Sequence, residues 1–131
     1  MIGLDANELV RYIMQDDPKQ SPKAGKLIDA LDDANQGFIA LVSVVEIVWM
    51  LSSCYGLNRA QIAQALDVML RSKSIAVEQS EQVWRALRAF TSSKADFADC
   101  LIERSAAQAG CEKTMTFDVG EAKHAGMKLI A

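Results

Sequence analysis

Short β-prone runs alternate along this chain with longer stretches of helical period, and that alternation is the pattern of a parallel sheet covered by helices on both faces. The strand candidates run from Met1 to Leu4, Phe38 to Val42, Ser74 to Val77, Lys113 to Phe117 and Met127 to Ile130. Between them, Leu27, Ile28 and Leu31 form one apolar helical stripe, Ile62, Leu66, Met69 and Leu70 a second, and Val83, Trp84, Leu87 and Phe90 a third. The expected fold is therefore α/β, a three-layer α/β/α sandwich around a central, mostly parallel five-stranded sheet. A chain of 131 residues, 50% of them hydrophobic, allows one domain with a proper core. Residues 43–71 read as two long helices joined at Tyr55 to Asn58, a hairpin suited to a dimer or partner surface. Trp49 and Trp84 fall on helical stripes and are expected inside, and Gly37, Gly56, Gly110 and Gly126 are expected near helix ends.

The remaining composition narrows the function classes. A net charge of −3 does not advertise a nucleic-acid binder, which is usually basic. Basic side chains such as Arg11, Lys26, Arg59, Arg88 and Lys94 nevertheless suffice for a phosphate-binding rim if they cluster. Cys54, Cys100 and Cys111 show neither Cys-x-x-Cys nor Cys/His spacing, so zinc and a disulfide framework are not suggested, and a reducing compartment fits. The sequence opens on an apolar run without a charged leader, and no apolar stretch approaches the roughly 18 residues of a membrane span, so a cytoplasmic, membrane-free protein is expected. With only 24% charged residues, some hydrophobic surface is left for a second copy, and a homodimer is expected.

Acidic residues stand where apolar runs break into helix starts: Asp5, Glu46, Asp96 with Asp99, and Asp118. Each has an ordinary structural role open to it. Asp5 with Glu8, Ser43 with Glu46, and Asp118 with Glu121 all have capping-box spacing, and Asp96 and Asp99 suit an N-cap and a first-turn acid. The set as a whole points elsewhere, because ligands in open α/β sheets bind beyond the carboxyl ends of the strands. Asp5, Glu46 and Asp118 each follow a strand candidate. Clustered carboxylates without a cation repel one another, and oxygen-rich acid clusters are what Mg²⁺ and Mn²⁺ prefer.

These residues resemble a known family, the PIN-domain ribonucleases, and among them the VapC-type toxins of bacterial toxin–antitoxin pairs. The resemblance rests on Ile-Gly-Leu-Asp-Ala-Asn-Glu-Leu-Val-Arg-Tyr (2–12), Ser-Val-Val-Glu-Ile-Val-Trp-Met-Leu (43–51), Ala-Asp-Phe-Ala-Asp-Cys-Leu-Ile (95–102) and Thr-Phe-Asp (116–118), in that order over nearly the whole chain. It implies a metal-binding and catalytic quartet of Asp5, Glu46, Asp99 and Asp118, with Asp96 as an auxiliary metal acid and Asn7 orienting Asp5 from behind. Two positions depart from the family pattern: Ala6 stands where Thr or Ser is frequent, and Glu8 where an apolar residue is usual. The activity implied is endoribonuclease cleavage with Mg²⁺ or Mn²⁺, in which a metal-activated water attacks an RNA phosphodiester. The partner implied is a small VapB-like antitoxin laid across an apolar groove, expected between the first helices and the hairpin around Val44 to Leu70.

Other chemistries fit less well. The only histidine, His124, lies in a tail of small residues and is expected at the surface without a role. No Gly-x-Ser-x-Gly, Walker loop or GxGxxG is present. A haloacid-dehalogenase-like phosphatase would use Asp5 as nucleophile but wants an acid two residues on, where Asn7 stands. A PIN fold that only binds partners and cuts nothing is the other alternative.

Overall fold

The computed structural model describes residues 1–131 and resolves two compact units, Met1–Glu78 and Gln79–Ala131. In the first unit, β1 (Ile2–Gly3), β2 (Gly37–Ile39) and β3 (Ile75–Val77) form a three-stranded sheet in the order β1-β2-β3. Both pairings are parallel, with Ile2 opposite Gly37 and Gly37 opposite Ile75. Helices α1 (Ala6–Met14) and α2 (Gln20–Asp29) connect β1 to β2, and α3 (Leu41–Ser53) and α4 (Arg59–Arg71) connect β2 to β3. A parallel pair needs such helical crossovers because a tight turn cannot return the chain to the same edge.

The stripe of α4 is buried as expected except for half-buried Leu70, whereas in the first stripe Ile28 and Leu31 are buried but Leu27 is exposed, and Leu31 lies beyond the end of α2. Helix α1 buries Ala6, Leu9 and Val10, α3 buries Val44, Ile47 and Leu51, and α4 buries Ile62, Leu66 and Met69, all at helical spacing. Ile39, in the central strand, is fully enclosed. Gly37 is buried where β2 passes closest to its neighbours: a Cβ there would lie 2.6 Å from Leu4 Cδ1 and 2.9 Å from Leu31 Cδ1. Gly37 is thus a close-approach glycine in a strand rather than the helix-end glycine its neighbourhood suggests.

The hairpin expected at 43–71 is present as α3 and α4. Asn58 caps α4 with a complete capping box, its Oδ1 accepting from Gln61 N at 2.9 Å while Gln61 Oε1 accepts from Asn58 N at 2.9 Å. Helix α3 starts differently from expectation, because Val42 and Ser43 lie inside the helix and Ala40 is its N-cap, with no capping side chain of its own. The cap comes from elsewhere: Glu78, directly after β3, accepts the Leu41 N–H at 2.8 Å. Trp49 is 61% exposed rather than buried, since the α3 face that packs inward carries Val44, Ile47 and Leu51, and Trp49 and Val42 occupy the opposite one.

In the second unit, α5 (Ser80–Thr91) and α6 (Phe97–Gln108) pack together, joined by an edge-to-face pair of Phe90 and Phe97 with centroids 6.0 Å apart. Val83, Ala86, Leu87, Cys100 and Leu101 complete that packing, and Trp84 is half-buried. Strands β4 (Met115–Thr116) and β5 (Lys128–Leu129) pair in parallel around α7 (Val119–His124). All five expected strands exist and every pairing is parallel, but they form a three-stranded and a two-stranded sheet rather than one five-stranded sheet. The apolar runs set where strands occur; with β1, β4 and β5 two residues long, each ladder has too few hydrogen bonds for run position alone to dictate its partner.

Candidate functional site

The acids are placed by helix starts. Asp5 is the N-cap of α1, in extended conformation at φ −84 and ψ 159, and its Oδ1 lies 2.7 Å from Ala6 N. Glu8 does not close a capping box with it: Glu8 Oε2 is buried and has no hydrogen-bond partner. Glu46 is exposed, on the second turn of α3. Because β1 and β2 are parallel neighbours and α1 and α3 start just beyond them and pack together, Asp5 and α3 share the carboxyl edge of the first unit's sheet. Glu78 stands at the same edge, beyond β3, a placement that a search for acids before helices passes over. Asn7 is exposed on α1 and lines a shallow cleft with Glu8, Arg11 and Lys23.

The second unit brings four acids around one cleft of about 180 Å³: Asp96, Asp99, Asp118 and Glu121, together with Lys94, Ala95, Gly120 and His124. Asp96 is the N-cap of α6 but spends no side-chain hydrogen bond on the cap, so its carboxylate stays available. Asp99 sits one turn further along the same helix. Asp118 caps α7, with Oδ1 accepting from Glu121 N at 2.9 Å.

Thr116 holds the last acid in place. Its hydroxyl donates to Glu121 Oε2 at 2.7 Å, and it accepts the Asp118 N–H at 3.0 Å. The capping-box spacing of Asp118 and Glu121 is therefore half realised. Asp118 caps Glu121, but the Glu121 side chain turns to Thr116 and the cleft instead of returning to the Asp118 backbone. This is why the sequence, read for caps, overlooks Glu121 as a site residue. His124, expected at the surface without a role, is half-buried and lines the cleft.

The electrostatics follow from this crowding. Burial pushes the Asp99 carboxyl up to about 6, helped by the charge of Glu121 and a hydrogen bond with it, and by the charges of Asp96 and Asp118. A carboxyl held in this way takes up a proton in the absence of a cation and gives it up to one. The donor set consists of hard oxygens, which suits Mg²⁺ or Mn²⁺. No three of the acids are drawn together as a closed ligand cage. Mg²⁺ does not require one, because it keeps several waters and is usually held by one or two carboxylates. The donor chemistry of the cleft therefore suits a hydrated divalent ion, and the spacing of the acids does not suit a dehydrated, fully protein-ligated one.

No helix is long and apolar enough to cross a membrane. No curated protein matches the chain. The family model for the PIN domain matches residues 2–126, spanning both units and every acid described above. With that match over nearly its whole length, the chain belongs to the PIN domain family, whose members are typically metal-dependent nucleases.

Proposed function

We propose that this protein is a Mg²⁺- or Mn²⁺-dependent endoribonuclease of the VapC toxin type, one PIN domain formed by both units and neutralised by a cognate antitoxin. The observation that carries the reading is the second unit's cleft, which Asp96, Asp99, Asp118 and Glu121 all line and in which Asp99 is held near a pKa of 6. A bound divalent ion would supply an activated water and charge neutralisation at the phosphodiester. The chain's own part is to hold and orient. Asp99 and Asp118 present carboxylates from two helix starts, Thr116 fixes Glu121, and Asp96 adds an uncommitted carboxylate at the rim. Asp5 and Glu46, with Asn7 beside Asp5, complete the catalytic set by resemblance to the family.

Two surface features of the first unit support partners. An apolar groove of about 330 Å³ lined by Leu9, Tyr12, Ile13, Ile28, Val68 and Met69 suits the apolar segment of an antitoxin. On α3, Val42 and Trp49 are exposed seven residues apart on one face, which suits a homodimer contact. The absence of any membrane-spanning helix is compatible with action on cytoplasmic RNA.

The test is cleavage of labelled structured RNAs in Mg²⁺, in Mn²⁺ and in excess chelator, with Asp118→Asn prepared identically. Cleavage that needs metal and is lost in the variant supports the nuclease reading. A well-folded protein that binds an antitoxin-like peptide but cuts no RNA with either ion would favour the partner-binding alternative.

A further inference from the structure

A cleft lined with carboxylates repels the polyanion it would have to cut, so attraction must come from cations placed around it. The cations divide equally between the two units, but their balance against acids does not. The first unit holds seven Lys and Arg against ten Asp and Glu, whereas the second holds seven against seven. Four of the second unit's seven acids line the cleft, so outside it that unit has an excess of cations that the whole-chain charge of −3 conceals.

Lys94 and His124 are the two side chains of opposite character that line the cleft itself. Lys94 lies on the connection between α5 and α6, two residues before Asp96, and His124 is the last residue of α7. Neither takes part in the ion pairs that join Arg11 to Asp16, Arg71 to Asp67, Arg85 to Glu81 and Arg104 to Glu103. A lysine at the rim of an acid cleft that is not spent on the nearest acid keeps its charge for something else. Gly120 also lines the cleft, and a Cβ there would stand 3.1 Å from Asp118 Oδ1 and crowd that carboxylate.

We infer that Lys94 and His124 are substrate-positioning residues that grip backbone phosphates of a single-stranded RNA drawn across the cleft, Lys94 as a point charge and His124 as a hydrogen-bond donor. The inference rests on the nuclease reading of the same cleft. Phosphate contacts of this kind fix the strand's position without reading its bases. A compact ammonium on a flexible stem suits that task, and an imidazole N–H adds direction.

The deciding experiment is fluorescence anisotropy of a fluorescein-labelled oligouridine with the full chain in Ca²⁺, titrated across a range of salt. Each cation–phosphate contact to a single strand contributes about 0.7 to the slope of log affinity against log salt. Lys94→Gln should lower the slope by about that amount and Lys94→Arg should restore it. His124→Ala should weaken binding severalfold, with recovery in His124→Gln, which keeps a donor. A Lys94→Gln slope equal to wild type, or wild-type binding that does not depend on salt, would overturn the inference. Failure of the nuclease reading shows separately, as RNA binding that is intact in wild type without any cleavage in Mg²⁺ or Mn²⁺.

Discussion

Asp99 shows at the scale of one residue how the cleft is poised. Its folded pKa of about 6 lies above the ordinary carboxylate value near 3.9. Between those two values the folded metal-free chain holds a proton that the unfolded chain has released, so this group makes stability fall as pH rises through that window and leaves it level on either side. Urea midpoints measured from about pH 4 to about pH 7 should therefore show a decline that Asp99→Asn removes; a wild-type profile no steeper than that of the variant would contradict the crowding described here. The acids that make the cleft differ in how visible they are in sequence. Asp96, Asp99 and Asp118 stand out because they open helices after apolar runs. Glu121 does not, because its spacing from Asp118 satisfies a capping box and nothing in the sequence says that the side chain will choose Thr116 instead. His124 is invisible for a similar reason, since a histidine among small residues carries no signal until α7 turns it toward the cleft.

At the scale of elements, sequence periodicity located the hairpin and the cores of α4 and α5, misplaced Leu27, which is exposed on α2, and failed where a long-range contact decides a boundary. Helix α3 starts at Leu41 because Glu78 reaches across from the end of β3 to take its first N–H, a bond between residues 37 apart that no local pattern announces. Glu78→Ala should cost about 1 kcal/mol of stability, as losses of helix caps do, and fray the start of α3. Chemical denaturation together with amide exchange at Leu41 to Val44 would check it. Gly37 makes a second long-range constraint visible. The two Leu side chains that its missing Cβ admits belong to β1's end and to the segment after α2, so Gly37→Ala should overpack the site and destabilise by about 1–3 kcal/mol, read from the same denaturation curves. Truncating Leu51, fully buried on α3, should cost about 2–5 kcal/mol, whereas truncating the exposed Trp49 should cost little in the monomer. Trp49 was expected inside because α3 is apolar all round, which hides which face turns inward.

At the scale of the whole molecule, the alternation of strands and helices was legible, and so was a mostly parallel pairing, which the structure shows to be parallel throughout because helical crossovers impose it. The division into a three-stranded and a two-stranded sheet was not, because two-residue strands carry too little register information. Charge is likewise misleading when summed over the chain: the net −3 belongs to the first unit, and the unit that holds the acid cleft is neutral with a cationic remainder. A PIN-family chain with such a cleft should depend on a divalent ion for activity, and the acid that separates this site from a pair of ordinary helix caps is Glu121. The most direct measurement is the rate of RNA cleavage as a function of Mn²⁺ concentration for wild type and Glu121→Gln. The expected result is no cleavage in chelator, and a variant that needs about tenfold more Mn²⁺ to reach half its maximal rate, the loss that follows when a residue supporting a metal site is removed. Cleavage by wild type in chelator, or identical metal dependence in the two proteins, would contradict it.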